Sequence, residues 1–410
     1  MDMTRRTLLG AAAIAAAATS SSLGATSSLA ATALPDKESF DFHGVFLNAA
    51  YAHPLHRAVR QAGNDFLLAR ADKDVRRAWP RDNPRNDAVA KFASLVKANP
   101  DDIAVVPATM EGENHVVNAL GLSDKAGVVT DVYHYDASLA LYGEWAKRGV
   151  PVTCLRQKDN RIPLEDVERA ITPNIKLVAI SHIASDTGHQ YDLKAMCDIA
   201  HRKGALVYAD IVQSAGAVPL DLPASGVDFA CSGGYKWLMG EFGAAFLYVR
   251  PDRVKDLKQT AIGWRSLASN NSHSWPFDPP GPALGDWTVK DNAVGRFEVS
   301  TPSWVSLAML AKSIDIVQGI GVENIMAHRK PLIARLREEL PKRGFSPMTA
   351  PENNGPTITF AYQDAAKKLG PVLEAANIKV TLGANRMRVS PSVYNDMGDI
   401  EALLRTLPKA

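Results

Sequence analysis

Cysteine is scarce: three residues in 410, Cys154, Cys197 and Cys231. The number is odd, and none sits in a Cys-x-x-Cys or Cys/His spacing, which argues against a disulfide framework and a zinc site. Charge of one sign is missing too. Lys+Arg 46 against Asp+Glu 44 leaves a net +2 with no basic run, so the electrostatic footprint of a nucleic-acid binder is absent. After residue 34 there is no membrane-length apolar run, internal repeat or low-complexity linker. Hydrophobic residues at 46% and charged residues at 22% are ordinary globular values that exclude disorder, collagen and coiled coil.

The first 33 residues read as a leader rather than as part of the fold. Arg5-Arg6 stand before an apolar run from Leu8 to Ala18, and a Ser/Ala stretch ends in Ala31-Thr32-Ala33, a small-x-small cleavage signal. The run is too short and Ala-rich to anchor stably in a bilayer. Twin-arginine export, cleavage near Ala33 and a periplasmic address are expected. About 375 residues then remain, enough for two domains.

Seven short β-rich apolar runs follow: Ile103–Ala108, Gly127–Val132, Pro151–Leu155, Lys176–Ile183, Ala205–Ile211, Asp228–Ser232 and Ala244–Val249. Helical patterns such as Leu193–Lys203 alternate with them. The expected fold class is α/β, a mainly parallel seven-stranded sheet flanked by helices. After Pro302 come two helical patterns, Trp304–Gln318 and Glu323–Arg343. Three strand candidates (Thr357–Tyr362, Lys379–Leu382, Arg386–Ser390) and a closing helix over Asp399–Leu407 end the chain. This predicts a large domain over 34–300 and a smaller C-terminal α+β domain over 301–410. The active site is expected at the carboxyl ends of the sheet strands.

Two residues carry the chemistry. Asp210 ends an apolar strand, where a carboxylate is costly without a cationic partner. Lys236 follows the next strand in the Gly-rich turn Ser232-Gly-Gly-Tyr-Lys-Trp237. An Asp that holds a pyridinium nitrogen and a Lys that forms a Schiff base are the two parts that pyridoxal phosphate needs. Taken singly, Asp210 reads equally as a helix cap and Lys236 as a solvated turn lysine.

With these motifs, from about Phe46 to Leu407, the chain resembles the class V aminotransferase family of fold-type I pyridoxal-phosphate enzymes. That family includes cysteine desulfurases, kynureninase and isopenicillin N epimerase. The resemblance implies that Asp210 and Gln213 meet the ring nitrogen and ring hydroxyl, and that Lys236 is the Schiff-base lysine. Tyr235 stands where most relatives carry His and, with Ser232, would donate to the phosphate. Ser232 lies one place further from the lysine than the family's usual Ser. Thr109, in Ala108-Thr-Met-Glu-Gly-Glu-Asn114, would hold the phosphate at the start of a helix beginning near Asn114, with Met110 replacing a usual Thr. Tyr135 takes the ring-stacking position, His134 second, and Ser185 replaces an Asn beside the ring hydroxyl. Thr301, in Glu298-Val-Ser-Thr-Pro302, and Gly263-Trp264 imply a homodimer with shared active sites. Arg388, in Arg386-Met-Arg-Val-Ser-Pro-Ser-Val-Tyr-Asn395, would grip the substrate α-carboxylate bidentately.

Desulfurases of the family need a nucleophilic Cys just before that Arg signature, and Asn377 to Arg388 contains none. Cys154 and Cys231 fall in apolar strands and Cys197 on a helix's apolar stripe, so all three are expected to be inert. The resemblance implies aminotransferase or epimerase chemistry at the α-carbon of an amino acid or aminoacylated metabolite. Its nearest branch is the isopenicillin N epimerase-like one, and tailoring of a secreted peptide metabolite would explain export. A lyase of the kynureninase or cysteine-lyase kind is the alternative. A catalytically silent protein that binds pyridoxal phosphate or an amino acid is a third reading.

Overall fold

The computed structural model describes residues 33–71 and 83–408. The leader lies outside them, apart from Ala33. Among the described residues no single helix is long and apolar enough to cross a membrane.

All seven apolar runs become strands of one sheet. Its order is Ile103–Val106, Ala245–Val249, Phe229–Gly233, Leu206–Asp210, Ile175–Ser181, Gly127–Asp131 and Val152–Leu155. Only Ala245–Val249 runs against its neighbours. Central strands such as Ala245-Phe-Leu-Tyr-Val249 are buried on both faces, which is why they read as continuous apolar runs rather than alternating ones.

Both faces are covered. On one, the helices Pro84–Leu95 and Leu193–Arg202 bring Phe92, Met196 and Ala200 against Val207, Ala209 and Ala230. On the other, the helices Thr109–Leu120 and Asp136–Lys147 bring Val116, Leu120 and Tyr142 against Tyr208, Phe229 and Cys231. The helix Leu193–Arg202 starts where the Asp192 side chain accepts from the Ala195 N–H, and basic His201 and Arg202 sit in its last turn.

A second, antiparallel sheet orders Ser346–Pro347, Ile358–Ala361, Arg386–Val389 and Thr381–Gly383. Its own core includes Leu336, Leu369, Leu373 and Leu403. The change of pattern after Pro302 does not coincide with the change of core. The helix Trp304–Ile320 sends Leu307, Leu310 and Ile314 into the large sheet's core. Conversely, the N-terminal strand Val45–Phe46 pairs with Ile378–Lys379 and puts Leu47 into the small core. The small unit therefore takes in a piece of the N-terminal arm and leaves out the first helix after residue 301.

One cysteine expectation needs correction. Cys197 and Cys231 are buried, and burial pushes Cys231 well above the ordinary thiol value and Cys197 up to about 12. Cys154 is exposed, because its strand is the sheet's edge. Its thiol is still held above the ordinary value, by partial burial and by the charge of Asp131.

Candidate active site

Parallel strands deliver their carboxyl ends to one edge of the sheet, and there Asp210 and the Lys236 turn meet. Both line one cleft, a concave site that mixes apolar walls with a few convergent polar groups. Thr109, Met110, Tyr135, Ser185, Gln213 and Tyr235 line it as well.

The lysine turn is tightly fixed. His53 donates its N–H to Tyr235 O at 3.0 Å, and Met239 to Lys236 O at 2.8 Å. Gly216 lies so close beneath that a Cβ there would meet Trp237 O at 2.4 Å, and its φ of +83° is one that glycine alone adopts comfortably. Lys236 is 9% exposed. Burial drives its ammonium down to about 8, and Asp210 opposes the shift only in part. Asp210 is also buried; desolvation raises its pKa, against the Val212 N–H that donates to Oδ1 at 2.8 Å and the charges of His134 and Lys236. Outside this pairing each charge would be expensive.

The helix opening the cleft starts at Thr109, five residues earlier than expected, with Ala108 at its N-cap and no side chain capping it. Its first N–H groups are left without a side-chain acceptor beside Thr109, which suits a phosphate. Gln213 keeps one amide hydrogen for the cleft: Nε2 donates to Ala50 O at 3.1 Å, while Oε1 accepts from Trp237 Nε1 at 2.7 Å. An acid, a depressed lysine and an uncapped helix start on one cleft fit pyridoxal phosphate.

Of the two aromatic candidates, Tyr135 lines the cleft and is 42% exposed, whereas His134 is buried behind the wall. Arg388 is buried beside the cleft. Its Nη1 donates to Ser185 O at 2.7 Å and its Nη2 to Thr381 Oγ1 at 2.9 Å, and Nε has no partner. Burial and the Arg386 charge lower its pKa, against the charge of Asp186.

One residue expected at the cleft is not brought to it. Ser232 points the other way. Cys231 and Ala230 belong to opposite faces of the sheet, and Ser232 shares the face of Ala230. Its hydroxyl donates to Gly233 O at 3.3 Å. The cleft-side position is Gly233, whose Cβ would sit 3.2 Å from Thr109 Oγ1, so the one-place displacement seen in the sequence is a change of face. Thr301 is exposed before the helix Trp304–Ile320, whose N-cap is Ser303. Trp264 is exposed as well.

The sequence reading missed Ser181, which lines the cleft. The available signal was a polar residue closing an apolar strand, as Asp210 does. Among the described residues no His/Cys/Asp/Glu group could hold a metal ion.

The chain is similar to known proteins along most of its length. The family model described as "Aminotransferase class-V" matches residues 76–403. An uncharacterized aminotransferase, YcbU of Bacillus subtilis, is 27% identical over 347 residues, covering 85% of this chain and 88% of the relative. A probable cysteine desulfurase of Halalkalibacterium halodurans is 28% identical over 305 residues, 71% of each chain. Among solved structures, a C-DES mutant with glycine covalently linked to its PLP cofactor superposes with a TM-score of 0.79 at 18% identity. It covers 90% of this chain and 98% of that one. This chain therefore belongs to the class-V aminotransferase family, and its cofactor is pyridoxal phosphate.

Proposed function

We propose that the protein acts at the α-carbon of an amino acid or aminoacylated metabolite, by transamination or epimerisation. The observation that carries this reading is the meeting of Lys236 and Asp210 in one cleft with Arg388 at its side. When bound there, pyridoxal phosphate supplies an electron sink conjugated to the α-carbon. Asp210 would hold the ring nitrogen, Gln213 and Ser185 the ring hydroxyl, and Tyr135 one ring face. Thr109, Tyr235 and the helix N–H groups would hold the phosphate.

Lys236 would tether the cofactor at rest. Freed by the substrate amine, the Lys236 amine would be placed to take the proton from the α-carbon as general base and to deliver a proton as general acid. An amine titrating near 8 is suited to both directions near neutral pH, where such transfer contributes roughly 10²–10⁴-fold. The Arg388 fork would exchange Ser185 O and Thr381 Oγ1 for the substrate carboxylate. Thr301 would reach a partner subunit in a homodimer, and the Arg5-Arg6 leader would carry the folded protein to the periplasm.

The test is α-hydrogen exchange. The cofactor-loaded protein is incubated in heavy water with amino acids one at a time, and the α-proton is followed by NMR. The reading requires that at least one amino acid lose its α-proton with the wild type and none with Lys236→Ala. If α-proton loss comes with breakage of a Cβ or Cγ bond and release of a side-chain fragment, the chemistry is that of a lyase; if every α-proton survives, the reading fails.

A further inference from the structure

Behind the cleft wall lies a polar constellation that this chemistry does not use. Glu113, in the second turn of the Thr109–Leu120 helix, is fully buried. Its Oε1 lies 3.0 Å from His134 Nε2 and accepts from Tyr142 OH at 2.7 Å, and its Oε2 accepts from Ser138 OH at 2.6 Å. A carboxyl surrounded by donors is ionised. Burial alone would raise its pKa, but the His134 charge and the three hydrogen bonds outweigh it and hold the group low. The second ring nitrogen, His134 Nδ1, lies 3.0 Å from Ser181 Oγ. Burial alone would discharge this imidazole, yet the Glu113 charge outweighs it and holds the pKa above the ordinary value. Ser181 pairs in register with Asp210 across adjacent parallel strands, and both line the cleft.

We propose that Glu113 and His134 form a buried ion pair that turns the Ser181 hydroxyl into an obligate donor toward the cofactor and keeps Asp210 ionised. An imidazolium donates from both nitrogens, so Nε2–H serves Glu113 and Nδ1–H serves Ser181 Oγ. The Ser181 hydrogen then has to leave on the cleft side. A neutral ring would accept that hydrogen at Nδ1, and the cleft would face a lone pair instead. The charged groups around His134 are Glu113, Asp210 and Asp131, all acidic, and Lys236 is the other cation acting on Asp210. Neither Glu113 nor His134 lines the cleft, so both are positioning residues acting through Ser181 and Asp210. The inference rests on the reading of Asp210 as the carboxylate that faces the cofactor ring.

The decisive measurement uses the ¹⁵N-histidine-labelled, cofactor-loaded wild type, with His134 assigned from its loss in His134→Gln. At pH 7.5 both ring nitrogens of His134 are expected to carry protons; a neutral ring overturns the proposal. Equilibrium dialysis supplies a second readout. Folded His134→Gln and Glu113→Gln are expected to hold pyridoxal phosphate roughly tenfold more weakly. Tyr142→Phe, which removes a neutral hydrogen bond from the same carboxylate, is expected to stay within about twofold of wild type. Wild-type retention in both charge variants contradicts the proposal. If the variants do not fold, the ring protonation of the wild type decides alone. Loss of the near-visible band in Lys236→Ala, with unchanged retention in His134→Gln, sinks this inference only; a band that survives Lys236→Ala sinks the reading of the cleft.

Discussion

Trp237 donates its indole N–H to Gln213 Oε1 at 2.7 Å, which ties the turn carrying Lys236 to the loop that follows Asp210. The Arg329 guanidinium covers the same indole at 5.2 Å from the ring centroid. The cation, the indole and the amide form a brace behind the cleft, so the two charged groups do not depend on their mutual attraction to stay in place.

Trp237→Phe keeps a buried ring and leaves the Gln213 oxygen short of a donor. The expected loss is about 1–3 kcal/mol of stability, with faster release of pyridoxal phosphate. Thermal unfolding and cofactor off-rates measured on the same preparation check this. Unchanged values for both would mean that the brace does not position the lysine turn.

The lysine itself makes a pH prediction. Its folded pKa of about 8 lies below the ordinary 10.5, so burial disfavours the charged form. In the cofactor-free protein the cost is fully present below pH 8. Stability conferred by a neutral Lys236 grows as pH rises from about 8 toward 10.5, because the unfolded chain binds more protons there. Lys236→Met is therefore expected to stabilise the cofactor-free protein at pH 7 by on the order of 3 kcal/mol, with the advantage vanishing above pH 10.5. A variant less stable than wild type at pH 7 contradicts the depressed value.

Much of the fold was legible because central strands of a mainly parallel sheet are continuous apolar runs, and seven such runs became seven strands. What failed depended on facts that residue type does not carry. Cys154 sits in a run like its neighbours, and only the strand order puts it on an edge. Ser232 is one residue from the position that would face the cleft, and a period of two makes that single step a change of face. The Thr109 helix was placed late because Ala108 gives no capping signal. The missing cap is itself what leaves the helix N–H groups open to a phosphate. Glu113 looks like an ordinary polar helix residue, and His134 like a second ring-stacking candidate, until the fold brings them together behind Ser181.

Arg388 offers a planar fork to whatever replaces Ser185 O and Thr381 Oγ1. Arg388→Lys keeps the charge and removes the fork. A fall in kcat/KM of roughly 10–100-fold is expected, carried mainly by KM, with retention of pyridoxal phosphate unchanged. A variant with wild-type KM would mean that the substrate carboxylate binds elsewhere.

The leader has its own test. Replacing Arg5-Arg6 by Lys-Lys is expected to hold the protein in the cytoplasm in uncleaved form, as read by fractionation and the mass of the N-terminal peptide. Export at the wild-type level would remove the twin-arginine proposal without touching the cleft.

The measurement that tests the central claim most directly is the near-visible absorption spectrum of the purified protein loaded with pyridoxal phosphate. Wild type and Lys236→Ala are compared while amino acids are added one at a time. The account predicts a band in the wild type that Lys236→Ala lacks, and that one class of amino acid alters. A lasting change means transamination; a band that returns while product accumulates means epimerisation or cleavage. A protein that stays colourless after loading, or a band indifferent to Lys236→Ala, would contradict the account.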